Sequence, residues 1–294
     1  TGLLGRSTPV DNKPGNDITI TAEKDLLVRH ASAGIHLGAS EALPTIGGTQ
    51  VTSVSSAGNI TLVSTTGAIT EGYSDTAVDV VANRLTMRAA TGITGLEIAV
   101  NEIDAVTSAG NIELVDVDGN HEQFAGLKVI QAKSSVTPTT GNTLVSLATQ
   151  GSLLVDAAGR VAGDTLKLVS SLGSIVVRTP TSGDSLSYSR GIVFDAGKTI
   201  ELYTFFNAPE HMEYRAGDYF IFGTPQSGGT PVTKLLPTTL TTDTLILETG
   251  EGLSLIGSTI NVNRHLELIA GQDVVVKGTI NVKATHYDGT SAGS

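Results

Sequence analysis

Leu245-Ile246-Leu247, Leu253-Ser254-Leu255 and Ile260-Asn261-Val262 are followed by Leu266-Glu267-Leu268, Val274-Val275-Val276 and Ile280-Asn281-Val282. In each triplet the outer residues are apolar, and each triplet of the first set returns in the second after 21, 21 and 20 residues. Period two puts the outer side chains of a triplet on one face of a strand and the middle one on the other. Three strands therefore close one turn, and the turn repeats. Leu144 and Leu153 set against Leu166 and Ile175 give spacings of 22 and 22, the same coil with longer corners. Direct copies point the same way: Thr259-Ile260-Asn261-Val262 recurs as Thr279-Ile280-Asn281-Val282, and Ser56-Ala57-Gly58-Asn59-Ile60 recurs as Ser108-Ala109-Gly110-Asn111-Ile112. Repeats of roughly 20 residues with three short strands each predict an all-β solenoid, a right-handed parallel β-helix.

The same triplets run through most of the chain, as Ile60-Thr61-Leu62, Leu85-Thr86-Met87, Ile112-Glu113-Leu114, Leu166-Lys167-Leu168 and Ile200-Glu201-Leu202. Gly, Asn, Asp or Ser bounds each of them, and helical spacing of apolar residues is almost absent. A single coil cannot bury its own aliphatic residues. Neighbours about 4.8 Å above and below cover them and supply the backbone partners, so stability is close to a sum over adjacent coils. Gly58, Gly110, Gly173, Gly252 and Gly271 fall at the expected corners, where positive φ is anticipated.

Composition fits such a chain. The 294 residues hold 18 basic and 29 acidic side chains for a net charge of −11, which argues against a nucleic-acid partner. Cys and Trp are absent, while Gly contributes 34 residues and Thr 39. Without Cys there can be no disulfide framework, no thiolate-ligated zinc or iron–sulfur cluster and no thiol nucleophile. A mean hydropathy of +0.13 with 16% charged residues argues for folding rather than disorder. No apolar run approaches the ~18 residues of a membrane span. The first residues, Thr1-Gly2-Leu3-Leu4-Gly5-Arg6, carry no initiator Met and no leader pattern, so a processed or excised segment is expected.

Two stretches resemble the filamentous haemagglutinin type of repeat. One is Ala82-Asn83-Arg84-Leu85-Thr86-Met87-Arg88-Ala89-Ala90-Thr91-Gly92-Ile93, followed by Ser108 to Ile112. The other is Gly257-Ser258-Thr259-Ile260-Asn261-Val262, then Leu266 to Gly278. Together the likeness covers about two thirds of the chain. What it implies is an elongated β-helix of the large secreted adhesins and two-partner-secretion exoproteins, bacterial, extracellular or on the cell surface, and engaged in adhesion or matrix building. The secretion-domain N-cap of a full exoprotein is not seen, which implies a mature internal segment or a repeating fibre subunit.

Residues 203 to 234 interrupt the triplets, and nine of the twelve Phe and Tyr residues lie between Tyr188 and Phe222. Tyr203, Phe205, Phe206, Tyr214, Tyr219, Phe220 and Phe222 are expected to form a satellite core of an inserted loop, a contact surface, or an aromatic platform for a sugar chain. Glu210-His211-Met212-Glu213-Tyr214-Arg215 and Asp218 add titratable groups. A solvated loop with charge pairs is the plain reading; a carboxylate pair for glycoside cleavage is the enzymatic one. The remaining His residues are scattered, and no nucleophile elbow, phosphate loop or zinc-spaced His pair is present. Asp116-Val117-Asp118-Gly119-Asn120 spaces oxygen ligands around a Gly turn, so Asp116, Asp118 and Asn120 are candidates for a calcium ion, set against a plain β-turn.

The expected organisation is an extended arm over 1–16, coils over 17–202, the aromatic-rich insertion over 203–234, further coils over 235–285 and a polar tail over 286–294. Bare solenoid ends recruit strands. The expected partners are therefore copies of the same chain meeting head to tail, with the N-terminal arm adding a strand, or adjoining coils of a longer chain, together with host or cell-surface glycans. The function this favours is a non-catalytic structural or adhesive one with no cofactor besides the calcium candidate. A carbohydrate-binding or polysaccharide-cleaving β-helix is the alternative.

Overall fold

The computed structural model describes residues 18–22, 26–28, 31–32, 35–36, 53–54, 58–71, 78–117, 126–134, 142–156, 160–178, 189–203, 208–222 and 239–283. These residues contain no α-helix, and one 21-stranded sheet takes all their strands except a short antiparallel pair, Ile35–His36 with Ser53–Val54. Every pairing in the large sheet is parallel, as a coil requires when each turn lies on the last.

One face of the coil is continuous from end to end. It runs through Leu26–Val28, Ile69–Glu71, 93–98, Ile112–Asp116, Leu144–Thr149, Thr165–Ser170, Gly191–Ala196, His211–Ala216, 244–249 and 265–270. A second face follows each of these segments in the chain, represented by Ser152–Val155, Ile175–Val177, Ile200–Leu202 and Phe220–Phe222. A third face precedes them, represented by Ile18–Ala22, Ile60–Ser64, 85–89 and 103–107 near the start, and by 239–242, 259–262 and 279–282 near the end. The protein is thus a parallel β-helix with three strands per coil.

Alternation builds the interior. On the first face Ile93, Ile112, Val145, Leu166, Ile192, Met212 and Leu245 occupy one column, and Leu96, Leu114, Leu147, Leu168, Phe194, Tyr214 and Leu247 the next, all of them buried. Small or hydroxylated residues end the rung, where the chain turns. Ser170 donates to the Gly151 carbonyl at 2.6 Å, and Ser134 to the Gly110 carbonyl at 2.6 Å. These buried hydroxyls satisfy corner carbonyls that the ladder leaves open.

The C-terminal period is confirmed residue by residue: Leu245 pairs with Leu266, Leu253 with Val274 and Ile260 with Ile280. Leu144 is different. Its partner is Thr165, and the residue opposite Leu166 is Val145. The inward triplet is Val145-Ser146-Leu147, one residue later than the apolar run suggests, because Leu144 sits at the strand start and is only partly buried. The Ser-Ala-Gly-Asn-Ile copies also serve different faces. Ile60 stacks between Ile18 and Leu85, whereas Ile112 stacks between Ile93 and Val145. The two copies thus share a sequence without sharing a place on the coil.

The strands are also longer than triplets. Ile93–Thr107 crosses all three faces without a break, and the amide of Asn101 within it donates to Asn83 of the preceding coil at 3.0 Å. Residues 203–234 are not an insertion as a whole. His211–Ala216 stacks between Gly191–Ala196 and 244–249, and Phe220–Phe222 lies on Ile200–Leu202. Met212-Glu213-Tyr214 is itself an inward, outward, inward triplet, disguised because a tyrosine takes the leucine position among charged neighbours. Residues 1–17, 204–207, 223–238 and 284–294 lie outside the described residues, and with them the predicted N-terminal arm and the whole of the predicted tail.

Of the predicted corner glycines, Gly110 has positive φ, at 79°. Gly173 and Gly271 serve close approach instead. A Cβ on Gly271 would lie 2.0 Å from the Gly250 carbonyl oxygen, and one on Gly173 would lie 2.5 Å from Ser152 N.

Candidate functional site

The aromatic residues singled out by the sequence divide into a buried group and a surface group. Tyr214 is 5% exposed in the inward column, edge-on to Phe194 with ring centroids 5.4 Å apart, and Phe220 packs against it with centroids 5.2 Å apart. This trio belongs to the main core of the solenoid, because period-two alternation turns Phe194 and Tyr214 inward on adjacent coils. Tyr219 is 51% exposed at the corner before Phe220. Tyr203 is partly buried and its hydroxyl donates to Glu201. Phe222 holds a strand position, while Phe205 and Phe206 fall outside the described residues, so no continuous aromatic platform is assembled from the described members of the set.

Burial shifts the phenols. With its ring enclosed, Tyr214 is held well above the ordinary value of 10.0 by desolvation alone. Tyr203 is pushed up to about 12, first by desolvation and then by the hydrogen bond to Glu201. A phenol whose folded-state pKa is raised keeps its proton where the unfolded chain loses it. Its contribution is therefore full below pH 10 and declines as pH rises above 10. For Tyr214 the decline is about 1.4 kcal/mol per pH unit. Alkaline denaturation should accordingly start above pH 10, and Tyr214→Phe should flatten it in urea titrations at pH 10 to 12. An unchanged pH slope in that variant would refute the assignment.

The titratable residues nearby are held in pairs. Arg190 Nε lies 2.8 Å from Glu210 Oε1, while Glu213 is shared by His211 Nε2 at 3.1 Å and Arg215 Nη2 at 2.8 Å. Arg215 also reaches Glu248 on the next coil at 3.2 Å. His211, Glu213 and Arg215 occupy the outward positions of their strand, and Asp218 lies at the corner, its N–H donating to the Lys198 carbonyl. Each carboxylate of the proposed acid and base set thus decorates a strand or corner, and Glu210 and Glu213 neutralise neighbouring cations. A second column runs up another side, with Lys128 Nζ 3.1 Å from Glu102 and 3.4 Å from Asp156. The Glu102 hydrogen bond holds the Lys128 pKa above its usual value against desolvation.

Of the three calcium candidates, Asp116 is the one among the described residues. Asp116 is 1% exposed at the end of Ile112–Asp116, where its column otherwise holds Thr149, Ser170 and Ala196. Thr149 Oγ1 donates to it at 2.8 Å and Val100 N at 3.4 Å. The carboxylate ties three coils together. Asp118 and Asn120 lie outside the described residues. Asp116→Ala should cost about 1–3 kcal/mol, the range for stranding a buried donor. The loss in thermal unfolding should be the same in calcium and in chelator; a loss seen only with calcium would restore the ion-binding role.

One cluster was not foreseen. Glu71, Asp79 and Glu97 bring carboxylate oxygens within 4.8 Å of one another, a set that could share a divalent cation. Asp79 N donates to the Glu97 carbonyl at 2.7 Å, and Glu97 N donates to Asp79 Oδ2 at 3.1 Å. Glu71 and Asp79 flank one corner, and Glu97 joins them from the next coil, so no single local motif announces the set.

The fold and its paired, ladder-like surface define a parallel β-solenoid. No family model, curated protein or solved structure matches the chain.

Proposed function

We propose that this protein is a non-catalytic structural or adhesive β-helix, a subunit or segment of an extracellular or cell-surface fibre that associates end to end. The observation that supports this most is the final described coil. Inward positions that are buried on the preceding coil, Leu253 at 1% and Val262 at 1%, become Val274 at 44% and Val282 at 50% exposed. An open parallel edge with apolar inward positions is a template for another coil. The adhesive part of the reading, its bacterial setting and glycan partners rest on the resemblance to filamentous haemagglutinin repeats. The absorption of Tyr214 and Phe220 into the core weighs against the carbohydrate-cleaving alternative, as do the ion pairs that engage Glu210 and Glu213.

Two assays separate the readings. Sedimentation velocity over a wide concentration range should show a growing series of species, and incubation with acidic or neutral polysaccharides should release no new reducing ends. Reducing ends that appear with the native chain and vanish in Glu210→Gln or Glu213→Gln would establish the enzyme instead.

A further inference from the structure

The two ends of the described stack are out of step by one strand. At the far end 265–270, 274–277 and 279–282 follow one another over the first, second and third faces and complete a coil. At the near end Leu26–Val28 opens, on the first face, the coil that closes with Ile60–Ser64 on the third, and Ile18–Ala22 lies over that closing strand as one layer more. Among the described residues no pairing engages the outer side of 265–270, of 279–282 or of Leu26–Val28. A second copy continues the spiral without a gap only if 265–270 lies over its Leu26–Val28. The 279–282 strand then falls where Ile18–Ala22 of that copy already stands.

The corner between the third and first faces gives the register of that contest. Ser64, Ala89 and Thr107 pair in one column and are the last buried side chains before Ile69, Ile93 and Ile112. Thr242 and Val262 hold the same position before Leu245 and Leu266. Both are buried, and Thr242 Oγ1 donates to the carbonyl two residues on at 3.2 Å, as Thr107 Oγ1 does at 2.5 Å. Val282 pairs with Val262, and Ala22 with Ser64, so Val282 and Ala22 are equivalent positions. Thr279-Ile280-Asn281-Val282 then matches Thr19-Ile20-Thr21-Ala22 position by position. The first face agrees: one column of pairings runs from Leu26 through Ile69 and Ile93 to Leu245 and Leu266.

We infer that two copies join by strand exchange: 279–282 of one pairs with 61–64 of the next and displaces the 18–22 strand of that copy. The joint sets Thr279 on Thr61, Ile280 on Leu62 and Val282 on Ser64, at the ordinary parallel spacing of about 4.8 Å. Val282, 50% exposed in the lone chain, comes to lie on the buried Ser64. The third-face ladder lost is replaced by another of the same kind, so the new pairing of 265–270 with 26–28 on the first face is gained outright. In the lone chain the 18–22 strand caps the coil that receives a neighbour, and so restrains association. The contact is heterologous and does not close, so it propagates by strand addition.

This deepens the fibre reading and rests on it for the fact of association, while adding the partner strand, the register and the restraint. The chain has no Cys, so introduced thiols report cleanly. Thr19 pairs with Thr61, and adjacent strands bring paired Cα atoms within disulfide range. The full-length chain carrying both Thr19→Cys and Thr61→Cys, oxidised to an intramolecular bridge verified by mass, should not associate in sedimentation velocity. Reduction of that bridge should restore association. Full-length Thr279→Cys mixed with full-length Thr61→Cys, treated with a short thiol-bridging reagent, should give a covalent mixed dimer, and Thr279→Cys mixed with Thr19→Cys far less. Undiminished association of the locked chain, or bridging that selects Thr19 over Thr61, would overturn the exchange and leave the fibre reading standing. Failure of the unmodified chain to associate at any concentration would overturn both.

Discussion

Phe194→Ala should be among the most destabilising single changes in the solenoid, costing about 3–5 kcal/mol, the usual range for emptying a phenylalanine site in a close-packed core. Phe194 is fully buried, sits between Leu168 and Tyr214 in the inward column, and meets the Tyr214 ring edge-on. Its loss removes contacts to the coils on both sides. Because a solenoid is held by nearest-neighbour interfaces, weakening one interior coil also uncouples the segments flanking it. Urea unfolding should therefore shift to lower midpoint and broaden toward two steps. Phe194→Leu, which keeps most of the apolar volume, should shift it much less. A sharp single transition at the native midpoint in Phe194→Ala would show that this column does not carry the stack.

Gly250→Val should be comparably damaging for the opposite reason, overfilling. Gly197, Gly217, Gly250 and Gly271 turn the same corner on successive coils, each N–H donating to the coil before at 2.7 to 3.0 Å. A Cβ on Gly250 would lie 1.9 Å from the Gly217 carbonyl oxygen, and one on Gly217 would lie 2.1 Å from that of Gly197. The obstacle is backbone already engaged in the ladder, so it cannot rotate aside as a side chain would. Overpacking of this kind costs typically about 1–3 kcal/mol, and the backbone clash places Gly250→Val at the upper end. Gly252→Ala provides the contrast. Its nearest obstacle, the Asp273 carbonyl oxygen, is 3.4 Å away, so thermal unfolding should move little, or upward by the few tenths of a kcal/mol that a less flexible unfolded chain provides. Equal losses at Gly250 and Gly252 would remove close approach as the explanation.

The coil was legible where three inward triplets repeated at constant spacing, as in 245–282, because burial in a solenoid imposes both period two and a fixed number of residues per turn. It was obscured where chemistry departed from aliphatic. Tyr214 fills a leucine position with a residue that also suits surfaces, so a regular rung read as an insertion. Leu144 read as inward because an apolar residue at a strand start carries no mark of which face it will take. Asp116 carries the same local sequence whether it is open to an ion or buried and bonded to Thr149 and Val100, so its burial was not legible. The cluster of Glu71, Asp79 and Glu97 was invisible for a further reason: Glu97 reaches the other two only through the stacking of coils, which no short window encodes.

Length is the property that tests end-to-end association most directly. Electron micrographs of the full chain over rising concentration should show unbranched rods of constant width whose lengths increase in steps of one molecule. Particles of a single, one-molecule length at every concentration would contradict it.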